Sequence, residues 1–274
     1  MRLLTYNIHG WRGGDGALNL DRLLRIIEAS DADIVALNEV FHPFSLPDSD
    51  RTALDILADA LGMSYAFGVA LTPQFAFSPL SSYGNALLSR FDILAHAGHH
   101  LTPIGGHEQR GLLEARLLLP DSPSPLSVYV THLDHRSEAV RLRQLNSVLQ
   151  WTNRDRERRH LLLGDFNALA PQDYEGRAGD LDDLRDRQET AHMVADGLQV
   201  VPHILSRGYS DAGASGEEGR QPTFPAERPV IRIDYVWVSP AMAGAIRSCG
   251  RWRTDETAIA SDHLPVFADF EGWR

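Results

Sequence analysis

Cysteine is almost absent from this sequence, since Cys249 is the only one among 274 residues. No disulfide can form within the chain, so its stability must come from a buried core, and the composition fits a reducing compartment. Long apolar runs are absent too, because none approaches the roughly 18 residues that span a bilayer. Residues 1–7 lack the apolar core of a secretory signal. We therefore expect a soluble, cytoplasmic protein with no integral membrane association.

Positive charge is also scarce. The 26 lysines and arginines face 37 aspartates and glutamates, which gives a formal net charge of −11. A protein that holds nucleic acid through a broad basic surface normally has the opposite balance, because contacts to phosphate dominate such binding. Nucleic acid therefore stays an open alternative as a partner but is not favoured, and a local basic groove is the route by which it could still bind.

Several catalytic signatures are missing as well. With one cysteine and no H-E-x-x-H, the sequence has none of the common zinc patterns. It contains no G-x-S-x-G turn of the kind that carries a serine nucleophile. The glycine-rich loop at residues 10–16 matches neither G-x-G-x-x-G nor the Walker pattern, so its case for binding phosphate is weak. The chemistry must come from other groups.

Amphipathic helices alternate with apolar strands along the chain. Leucines and isoleucines at helical spacing predict a helix over residues 20–27, and a second stripe over residues 54–61 is stopped by Gly62. A third stripe predicts a helix with Arg141 and Arg143 on its solvent side. Neither a repeat nor a Pro/Gly linker divides the chain, so we predict one domain over residues 1–274. The mixture of helices and strands favours an α/β layered fold with a mixed sheet.

The stretch from Leu161 to Asn167 carries the strongest signal. Leu161 to Leu163 form an apolar triplet without polar alternation, which predicts a strand buried on both faces. Gly164 then allows the backbone to bend or to approach another group closely. Asp165 and Asn167 lie two residues apart, so in an extended chain their side chains point the same way. They could bind a hard cation or orient a water molecule, whereas the simpler alternative is an Asx turn that closes the strand.

Other apolar strands are also ended or flanked by polar groups. Each group alone has a plain explanation, such as a turn cap or a local hydrogen bond. Their shared placement is more informative, because catalytic groups gather where strands lead into loops. The complete set is Asn7, Glu39, His132, Asp165, Asn167, Asp234, Asp262 and His263.

The chemical types in this set narrow the reaction. Glu39 and Asp262, with the amide oxygens of Asn7 and Asn167, supply the hard oxygen ligands that Mg²⁺ or Mn²⁺ prefers. Such ions commonly bind through one or two carboxylates plus a substrate phosphate. The set therefore predicts a divalent-cation site.

Three further residues suggest how phosphate chemistry would proceed. His263 could pair with Asp234, which would orient the ring and favour the imidazolium that stabilises a negative phosphoryl group. Asp165 could position and deprotonate a water for in-line attack. Arg110, at the edge of a polar loop, could reach an anion, although a solvated or ion-paired arginine is the simpler alternative.

Seven segments of the chain together resemble the endonuclease/exonuclease/phosphatase superfamily, whose fold is that of DNase I. They occur in the order of that family and span nearly the whole chain. The segments are Tyr6-Asn7-Ile8-His9, Ala36-Leu37-Asn38-Glu39-Val40, Gly84-Asn85-Ala86-Leu87-Leu88-Ser89, Thr131-His132-Leu133, Gly164-Asp165-Phe166-Asn167, Ile233-Asp234-Tyr235 and Ser261-Asp262-His263-Leu264-Pro265-Val266.

The resemblance implies a four-layered α/β sandwich, in which two mixed β-sheets pack face to face with helices outside. It also implies metal-dependent phosphoester hydrolysis. Glu39 would be the main ligand of Mg²⁺ or Mn²⁺, with Asn7 and Asp262 near the cation. Asn85 and Arg110 are candidates for contact with the substrate. Whether one or two ions bind is left open.

The resemblance also implies roles for the remaining residues. Asp165 would align the attacking water, and Asn167 would help bind the phosphate or the metal. His132 and His263 would contact the scissile phosphate, with Asp234 orienting His263. Which group is formally the general base is left open.

The substrate is harder to infer. The DNA-repair branch that resembles exonuclease III usually has a lysine soon after the metal glutamate, whereas Val40, Phe41 and His42 follow Glu39 here. The opening strand and its glycine-rich loop look more like bacterial hydrolases and sphingomyelinase-like relatives that act on phosphodiesters of lipids, sugars or nucleotides. We expect a monomeric phosphodiesterase, with phosphomonoesters as a second substrate type. The alternatives are a nuclease acting on DNA or RNA, and a catalytically inactive binding module, which should have lost one of the polar strand ends.

Overall fold

The computed structural model of the chain describes residues 1–46, 49–72, 81–120, 122–187, 190–216 and 218–272. The strands, in chain order, are β1 (Arg2–Asn7), β2 (Ile34–His42), β3 (Ser64–Leu71), β4 (Ser82–Ser89), β5 (Asp92–His100), β6 (Gly111–Leu118), β7 (Leu126–His132), β8 (His160–Asp165), β9 (Ser210–Asp211), β10 (Asp234–Val238), β11 (Ile246–Arg251) and β12 (Val266–Phe270). The α-helices are α1 (Leu20–Ser30), α2 (Ala53–Leu61), α3 (Glu138–Thr152), α4 (Ala178–Asp186), α5 (Ala191–Val194), α6 (Val200–Ser206) and α7 (Thr257–Ala260). Within the described residues, no helix combines the length and apolar character that a bilayer crossing requires.

These strands form two mixed sheets of six strands each. The first sheet has the order β11-β12-β1-β2-β4-β3, and the second has the order β5-β6-β7-β8-β10-β9. A parallel pair lies inside each sheet, β1 with β2 in the first and β7 with β8 in the second. The strands on either side of these pairs run antiparallel to them. The predicted mixed sheets are confirmed.

The core is divided into layers, because successive side chains of each central strand point to opposite faces of the sheet. Leu3 of β1 and Leu163 of β8 belong to the apolar cluster between the two sheets. Leu4 packs with residues of α1 and α2 on the outer side of the first sheet. Leu162 packs with residues of α3 and α6 on the outer side of the second. The result is the predicted four-layered α/β sandwich, with helices outside both sheets.

The helices follow their predicted apolar stripes, with one exception. Helix α1 buries the stripe expected of it, and α2 ends on Gly62 with a φ of 63°, the left-handed conformation predicted for that cap. The solvent-side position of Arg141 in α3 is wrong, because the residue is fully buried. Its Nε donates to Glu138 at 2.9 Å and its Nη1 donates to the carbonyl of Asp134 at 3.0 Å. Burial of this cation is tolerated because both partners are buried with it.

The ends of the central strands meet along one edge of the sandwich. In the first sheet, Asn7 at the end of β1 is paired with Asn38 of β2. In the second, His132 at the end of β7 and Asp234 at the start of β10 both pair with Asp165 of β8. Packing the sheets face to face therefore brings these polar ends together.

A buried amide pair joins the two sheets just behind this edge. Asn38 donates through Nδ2 to Asn85 Oδ1 at 2.8 Å and to the carbonyl of Thr131 at 3.0 Å. Asn85 Nδ2 donates in turn to the carbonyl of Gly111, on β6, at 3.0 Å. Gly164 makes room for this contact, since its φ is 131° and a Cβ there would lie 2.0 Å from the Thr131 carbonyl oxygen. The close approach predicted at Gly164 is confirmed.

Substitution of Gly164 should therefore be strongly destabilising. We expect Gly164→Ala to lower the free energy of unfolding by about 2–4 kcal/mol, because the new methyl would force β7 and β8 apart and adopt an unfavourable φ. Urea unfolding followed by circular dichroism measures the change. Gly244→Ala is the matched control, since a Cβ at that position meets nothing within 4 Å. Equal midpoints for the two variants would contradict this account of Gly164.

Candidate active site

A cavity of about 380 Å³ opens at the edge where the strand ends meet. Its walls come from both sheets and from the loops that precede β6, follow β7 and precede β12. The lining includes most of the predicted site residues: Glu39, Arg110, His132, Asp165, Asn167, Asp262 and His263.

Asp165 lies at the centre of this group and is 1% exposed. Its Oδ2 accepts a hydrogen bond from Asn7 Nδ2 across the sheets at 3.1 Å, and lies 3.4 Å from His132 Nε2 and 3.6 Å from His263 Nε2. Its Oδ1 accepts the backbone N–H of Asn167 at 2.8 Å. Burial raises the pKa of Asp165 above its ordinary value, although the positive charge of His263 opposes that shift.

Asn167 lies in the cavity although it is beyond the end of its strand, so the alternation of side chains along a strand does not explain its position. Strand β8 ends at Asp165, and Asn167 has a φ of 48°. The hydrogen bond from its backbone to Asp165 Oδ1 is an Asx turn, the simpler alternative to a functional reading. An Asx turn and a functional role are compatible, since the turn also places the side chains of Asp165 and Asn167 in the same cavity.

His263 is oriented by a buried carboxylate, as predicted. Its Nδ1 lies 2.9 Å from Asp234 Oδ2, and the same oxygen accepts a hydrogen bond from the Thr223 hydroxyl at 2.6 Å. The ring of Phe224 packs against the imidazole, with centroids 4.9 Å apart. Burial alone would lower the pKa of His263, but the charges of Asp234 and Asp165 reverse this effect and raise it to about 10. His263 is therefore an imidazolium at neutral pH.

His132 is in the opposite state. It is buried on the other side of Asp165, and Arg110 Nη1 lies 2.9 Å from its Nδ1. Burial and then the positive charge of Arg110 hold the pKa of His132 well below its ordinary value. Two histidines that both lie near Asp165 are thus held in different charge states by their surroundings.

A β-bulge brings Glu39 into the cavity. We expected a strand that finishes on Glu39, but β2 continues to His42. Its pairing with β4 shifts register between Leu37 and Val40, and Glu39 has a φ of 58°. Bulges re-aim single side chains near active sites. The half-buried Glu39 carboxylate accepts a hydrogen bond from Asn7 Nδ2 at 3.1 Å, so its position depends on the end of β1.

Asn7 and Asp262 occupy the same side of the cavity as Glu39. Asn7 Oδ1 accepts a hydrogen bond from the backbone N–H of His9 at 3.1 Å. Its Nδ2 donates to the carboxylates of Glu39 and Asp165. Asp262 is more open, with a side chain 39% exposed, and its Oδ1 lies 3.9 Å from His9 Nδ1. As the structure stands, Asn7 orders the carboxylates through its nitrogen.

Unfavourable backbone conformations are concentrated at this site. Five non-glycine residues among those described have positive φ. One of them, Asp31, caps the end of α1. Of the other four, His9, Glu39 and Asn167 line the cavity, and Trp11 follows His9 by two residues in the same loop. Such strain persists only where the surrounding structure enforces it, and it is typical of functional sites.

One buried group among the described residues has the donor set and spacing to hold a metal ion. Ligand atoms of Asp165, Asp234 and His263 all lie within 4.8 Å of one another. In this structure the group satisfies itself, because His263 and Thr223 already bind the same oxygen of Asp234. The carboxylates of Glu39 and Asp262 line the same cavity and offer further oxygen ligands.

Two of the residues considered for substrate contact have other partners. Asn85 does not line the cavity, because its amide is buried between the sheets and bound to Asn38 and Gly111. We assign it a structural role in place of the predicted substrate contact. Arg110 does line the cavity, but it is 3% exposed and contacts His132 and an ion-pair partner, Glu108, at 2.8 Å.

Sequence reasoning missed several residues that shape the site. Thr223 fixes Asp234, and His135 lies beside Arg110 in the cavity wall. Asn38, which links the sheets, also accepts the backbone N–H of Asp165 at 3.0 Å. Thr223 does not follow an apolar strand, His135 lies three residues beyond the end of β7, and Asn38 precedes Glu39, so their roles emerge only from tertiary packing.

Comparisons with known proteins agree with this geometry. A model of the Endonuclease/Exonuclease/phosphatase family matches residues 4–263. The Uncharacterized protein YbhP of Escherichia coli (strain K12) is 30% identical over 277 residues, covering 98% of this chain and 95% of that protein.

Two solved structures share the fold. An endonuclease/exonuclease/phosphatase from Beutenbergia cavernae DSM 12333 is 23% identical with a TM-score of 0.75, covering 100% of this chain and 72% of that one. The human Nocturnin catalytic domain with a bound sulfate anion is 21% identical with a TM-score of 0.69, covering 100% of this chain and 94% of that one. Because the family model spans nearly the whole chain and most of the predicted site residues line one cavity, the protein belongs to the endonuclease/exonuclease/phosphatase family and is a hydrolase of the phosphoesterase type.

Proposed function

We propose that the protein is a Mg²⁺- or Mn²⁺-dependent phosphoesterase that hydrolyses a phosphodiester by in-line attack of an activated water. The observation that carries this proposal is the environment of Asp165. A buried carboxylate lies within hydrogen-bonding distance of Asn7 and within 3.6 Å of two histidines, in a cavity that further carboxylates line. This arrangement suits a base that works beside a bound phosphoryl group.

Glu39 is our proposed principal metal ligand, with Asp262 and Asn7 beside it. Glu39 and Asp262 offer oxygen donors, which Mg²⁺ and Mn²⁺ prefer, and both line the cavity, while Asn7 lies behind them and holds the Glu39 carboxylate. The alternative group around Asp234 fits less well, because Oδ2 of Asp234 is already bound by the Thr223 hydroxyl and lies 2.9 Å from His263 Nδ1. A divalent cation bound here would neutralise charge on the phosphoryl oxygens and on the leaving alkoxide.

Asp165 is the residue we propose to hold the attacking water. Burial favours its uptake of a proton, so the carboxylate is a stronger base than an exposed aspartate. The backbone of Asn167 and the amide of Asn7 hold its two oxygens in place. A base fixed in this way loses little entropy when the water aligns with phosphorus.

The two histidines are our proposed contacts for the phosphoryl oxygens. His263, held as an imidazolium by Asp234, would offset the negative charge that develops during attack. His132 approaches Asp165 from the other side, and Asn167 lies beside it at 3.1 Å. Together they would place hydrogen-bond donors around one phosphoryl group.

The charge of the cavity favours a diester over a monoester. Glu39, Glu108, Asp165 and Asp262 line it, while its cationic lining residues are Arg110 and His263. A monoester dianion would meet stronger repulsion there than the single negative charge of a diester. We therefore propose a phosphodiester of a small molecule as the principal substrate. We also propose, as expected from the sequence, that the enzyme works as a cytoplasmic monomer.

A nuclease is the second candidate, and one observation favours it. A neighbouring cavity of about 450 Å³ shares His9, Glu39, Tyr83 and Glu108 with the catalytic one and extends it past Phe41. A substrate longer than a small diester could occupy both. An inactive binding module is less well supported, because every proposed catalytic residue is present in the cavity or directly behind it.

Metal dependence is the first prediction from this proposal. Purified protein should hydrolyse bis(p-nitrophenyl) phosphate with Mg²⁺ or Mn²⁺ and lose that activity in EDTA. Glu39→Gln should raise the metal concentration needed for half-maximal activity by roughly 10–100-fold, because it removes a charged ligand. Release of p-nitrophenolate across a metal titration measures both effects.

A control variant and two further substrates complete this test. Glu28→Gln, an exposed substitution on α1, should leave the metal titration unchanged. The same assay with p-nitrophenyl phosphate compares diester with monoester, and plasmid nicking at two salt concentrations tests the nuclease alternative. Full activity in EDTA would overturn the proposal.

The second prediction concerns Asp165. Asp165→Asn keeps the shape and one hydrogen-bond acceptor but cannot take a proton, so kcat should fall by roughly 10³-fold or more. Asp255→Asn, at an exposed position, is the control for loss of one negative charge. Steady-state kinetics on the diester, with circular dichroism to verify folding, measure the loss. A kcat within a factor of about ten of wild type would remove Asp165 from the role of base.

The third prediction is the charge state of His263. In metal-free protein its imidazolium should persist until pH is about 10, because Asp234 stabilises the charged ring. Asp234→Asn should lower the pKa of His263 by about 1–3 units, since the neutral amide no longer favours the proton. Histidine NMR titration in EDTA gives the value directly. If the exposed substitution Asp255→Asn lowered it equally, the pairing with Asp234 would not be the cause.

A further inference from the structure

A single buried guanidinium lies against two histidines of the cavity wall. Arg110 Nη1 is 2.9 Å from His132 Nδ1, and Arg110 Nη2 is 3.3 Å from His135 Nδ1. Arg110 precedes β6 directly, and both histidines follow or end β7. Its charge is balanced by Glu108 at 2.8 Å. The two outer nitrogens of the Arg110 guanidinium thus contact the Nδ1 atoms of two different histidines.

The direction of these hydrogen bonds follows from the chemistry of arginine. A guanidinium carries only N–H donors and has no acceptor. The Nδ1 atoms of His132 and His135 must therefore accept, so neither can carry a proton. A neutral imidazole with a bare Nδ1 has its proton on Nε2. Both rings are thereby assigned to one tautomer.

The second nitrogen of His132 presents a conflict that this assignment resolves. Asn167 Nδ2 lies 3.1 Å from His132 Nε2 and 3.2 Å from the carbonyl of Leu133. A neutral imidazole cannot accept hydrogen bonds at both nitrogens, so Arg110 and Asn167 cannot both donate to the His132 ring. Arg110 cannot reverse its polarity, whereas a half-turn of the Asn167 carboxamide exchanges its oxygen and nitrogen.

The energies favour the same resolution. The hydrogen bond from Arg110 is charge-assisted and lies in a buried setting, whereas that from Asn167 to the Leu133 carbonyl is neutral and is worth about half as much. Turning Asn167 costs the weaker contact and keeps the stronger one. Its amide oxygen then accepts from His132 Nε2, and its amide N–H groups occupy the place where Oδ1 now lies.

We infer that Arg110 is a positioning residue that fixes His132 and His135 as neutral Nε2–H tautomers, so that His132 meets the substrate as a hydrogen-bond donor. The inference rests on the proposed function for its consequence, namely that the phosphoryl group is met by His132, but the tautomer itself is a property of the resting protein. It assigns Arg110 an indirect role, in place of the direct substrate contact considered from the sequence.

This role explains why the cavity uses two histidines in different states. His263 is charged because Asp234 accepts from its Nδ1, and His132 is neutral because Arg110 donates to its Nδ1. His132 carries a proton on Nε2 because Arg110 donates to its Nδ1, and His263 carries one there because an imidazolium is protonated at both nitrogens; both Nε2 atoms lie near Asp165. The two rings therefore both present N–H donors, while only one of them adds a positive charge.

The burial of Arg110 argues against a direct role. Its side chain is 4% exposed, and its Nη1 is also 3.4 Å from the Tyr83 hydroxyl. Arginines that clamp phosphate normally present both outer nitrogens of the fork to the anion. Here one outer nitrogen contacts His132 and the other contacts His135.

The tautomer can be measured without any substrate. Long-range ¹H–¹⁵N correlation spectra of ¹⁵N-labelled, metal-free protein at pH 8 distinguish a protonated from a bare ring nitrogen, and His132→Gln and His135→Gln assign the signals. We expect a bare Nδ1 and a protonated Nε2 for both residues in the wild type. A His132 ring protonated at Nδ1, or at both nitrogens, would overturn the inference whether or not the protein is active.

Substitution of Arg110 tests the cause. In Arg110→Met the His132 signal should shift toward the Nδ1–H form, while Arg116→Met is the control. Arg116 lies on β6, six residues after Arg110, and is ion-paired with Glu114 and Asp155. If Arg110→Met does not fold, Arg110→Lys gives a second variant, which should restore at most one of the two contacts. An unchanged tautomer in a folded variant would count against the inference.

A double-mutant cycle separates positioning from direct binding. Arg110→Met should lower kcat for the small diester roughly 100-fold, with KM changed by less than about threefold. In the His132→Gln background the same substitution should have little further effect, because its target is gone. Losses that multiply across the two variants would mean that Arg110 contacts the substrate itself.

Discussion

The burial of one carboxylate is the constraint on which the rest of this site depends. Asp165 lies at the junction of the two sheets, where water cannot stabilise its charge. The structure offsets that cost with an amide from the other sheet, a backbone N–H and a nearby imidazolium. The same burial that makes the group costly raises its pKa, which is what the proposed role as a base requires, so stability and the proposed chemistry oppose each other at this position.

That junction exists only because the two sheets are held in a fixed relation. Asn38 binds Asn85 within the first sheet, donates across to the carbonyl of Thr131, and accepts the backbone N–H of Asp165 from the second sheet. Gly164 permits this approach, since any side chain there would collide with β7. A polar pair inside an otherwise apolar interface specifies one alignment of the sheets, because sliding would leave four buried amide groups unpaired. Packing therefore sets the catalytic distances.

Much of the fold and part of the site could be predicted from the sequence, for identifiable reasons. The apolar triplet before Asp165 and the helical stripes depend on local periodicity, which the chain carries in its own order. The bulge at Glu39, the burial of Arg141 and the structural use of Asn85 depend on which partners other segments supply. The family resemblance predicts a substrate contact for Asn85, whereas its hydrogen bonds to Asn38 and Gly111 hold it between the sheets. Sequence position alone contains no record of such partners.

Charge balance links the histidines to the proposed cation. The cavity contains more carboxylates than positive groups, so a phosphate anion would be repelled unless a further cation entered. Replacing the neutral His132 by a second imidazolium could have supplied that charge, but Arg110 opposes its protonation. A fixed cation in place of a metal would also neutralise Asp165 and weaken it as a base. In the function we propose, holding His132 neutral would keep Asp165 effective as the base and leave the missing positive charge to a cation bound at Glu39.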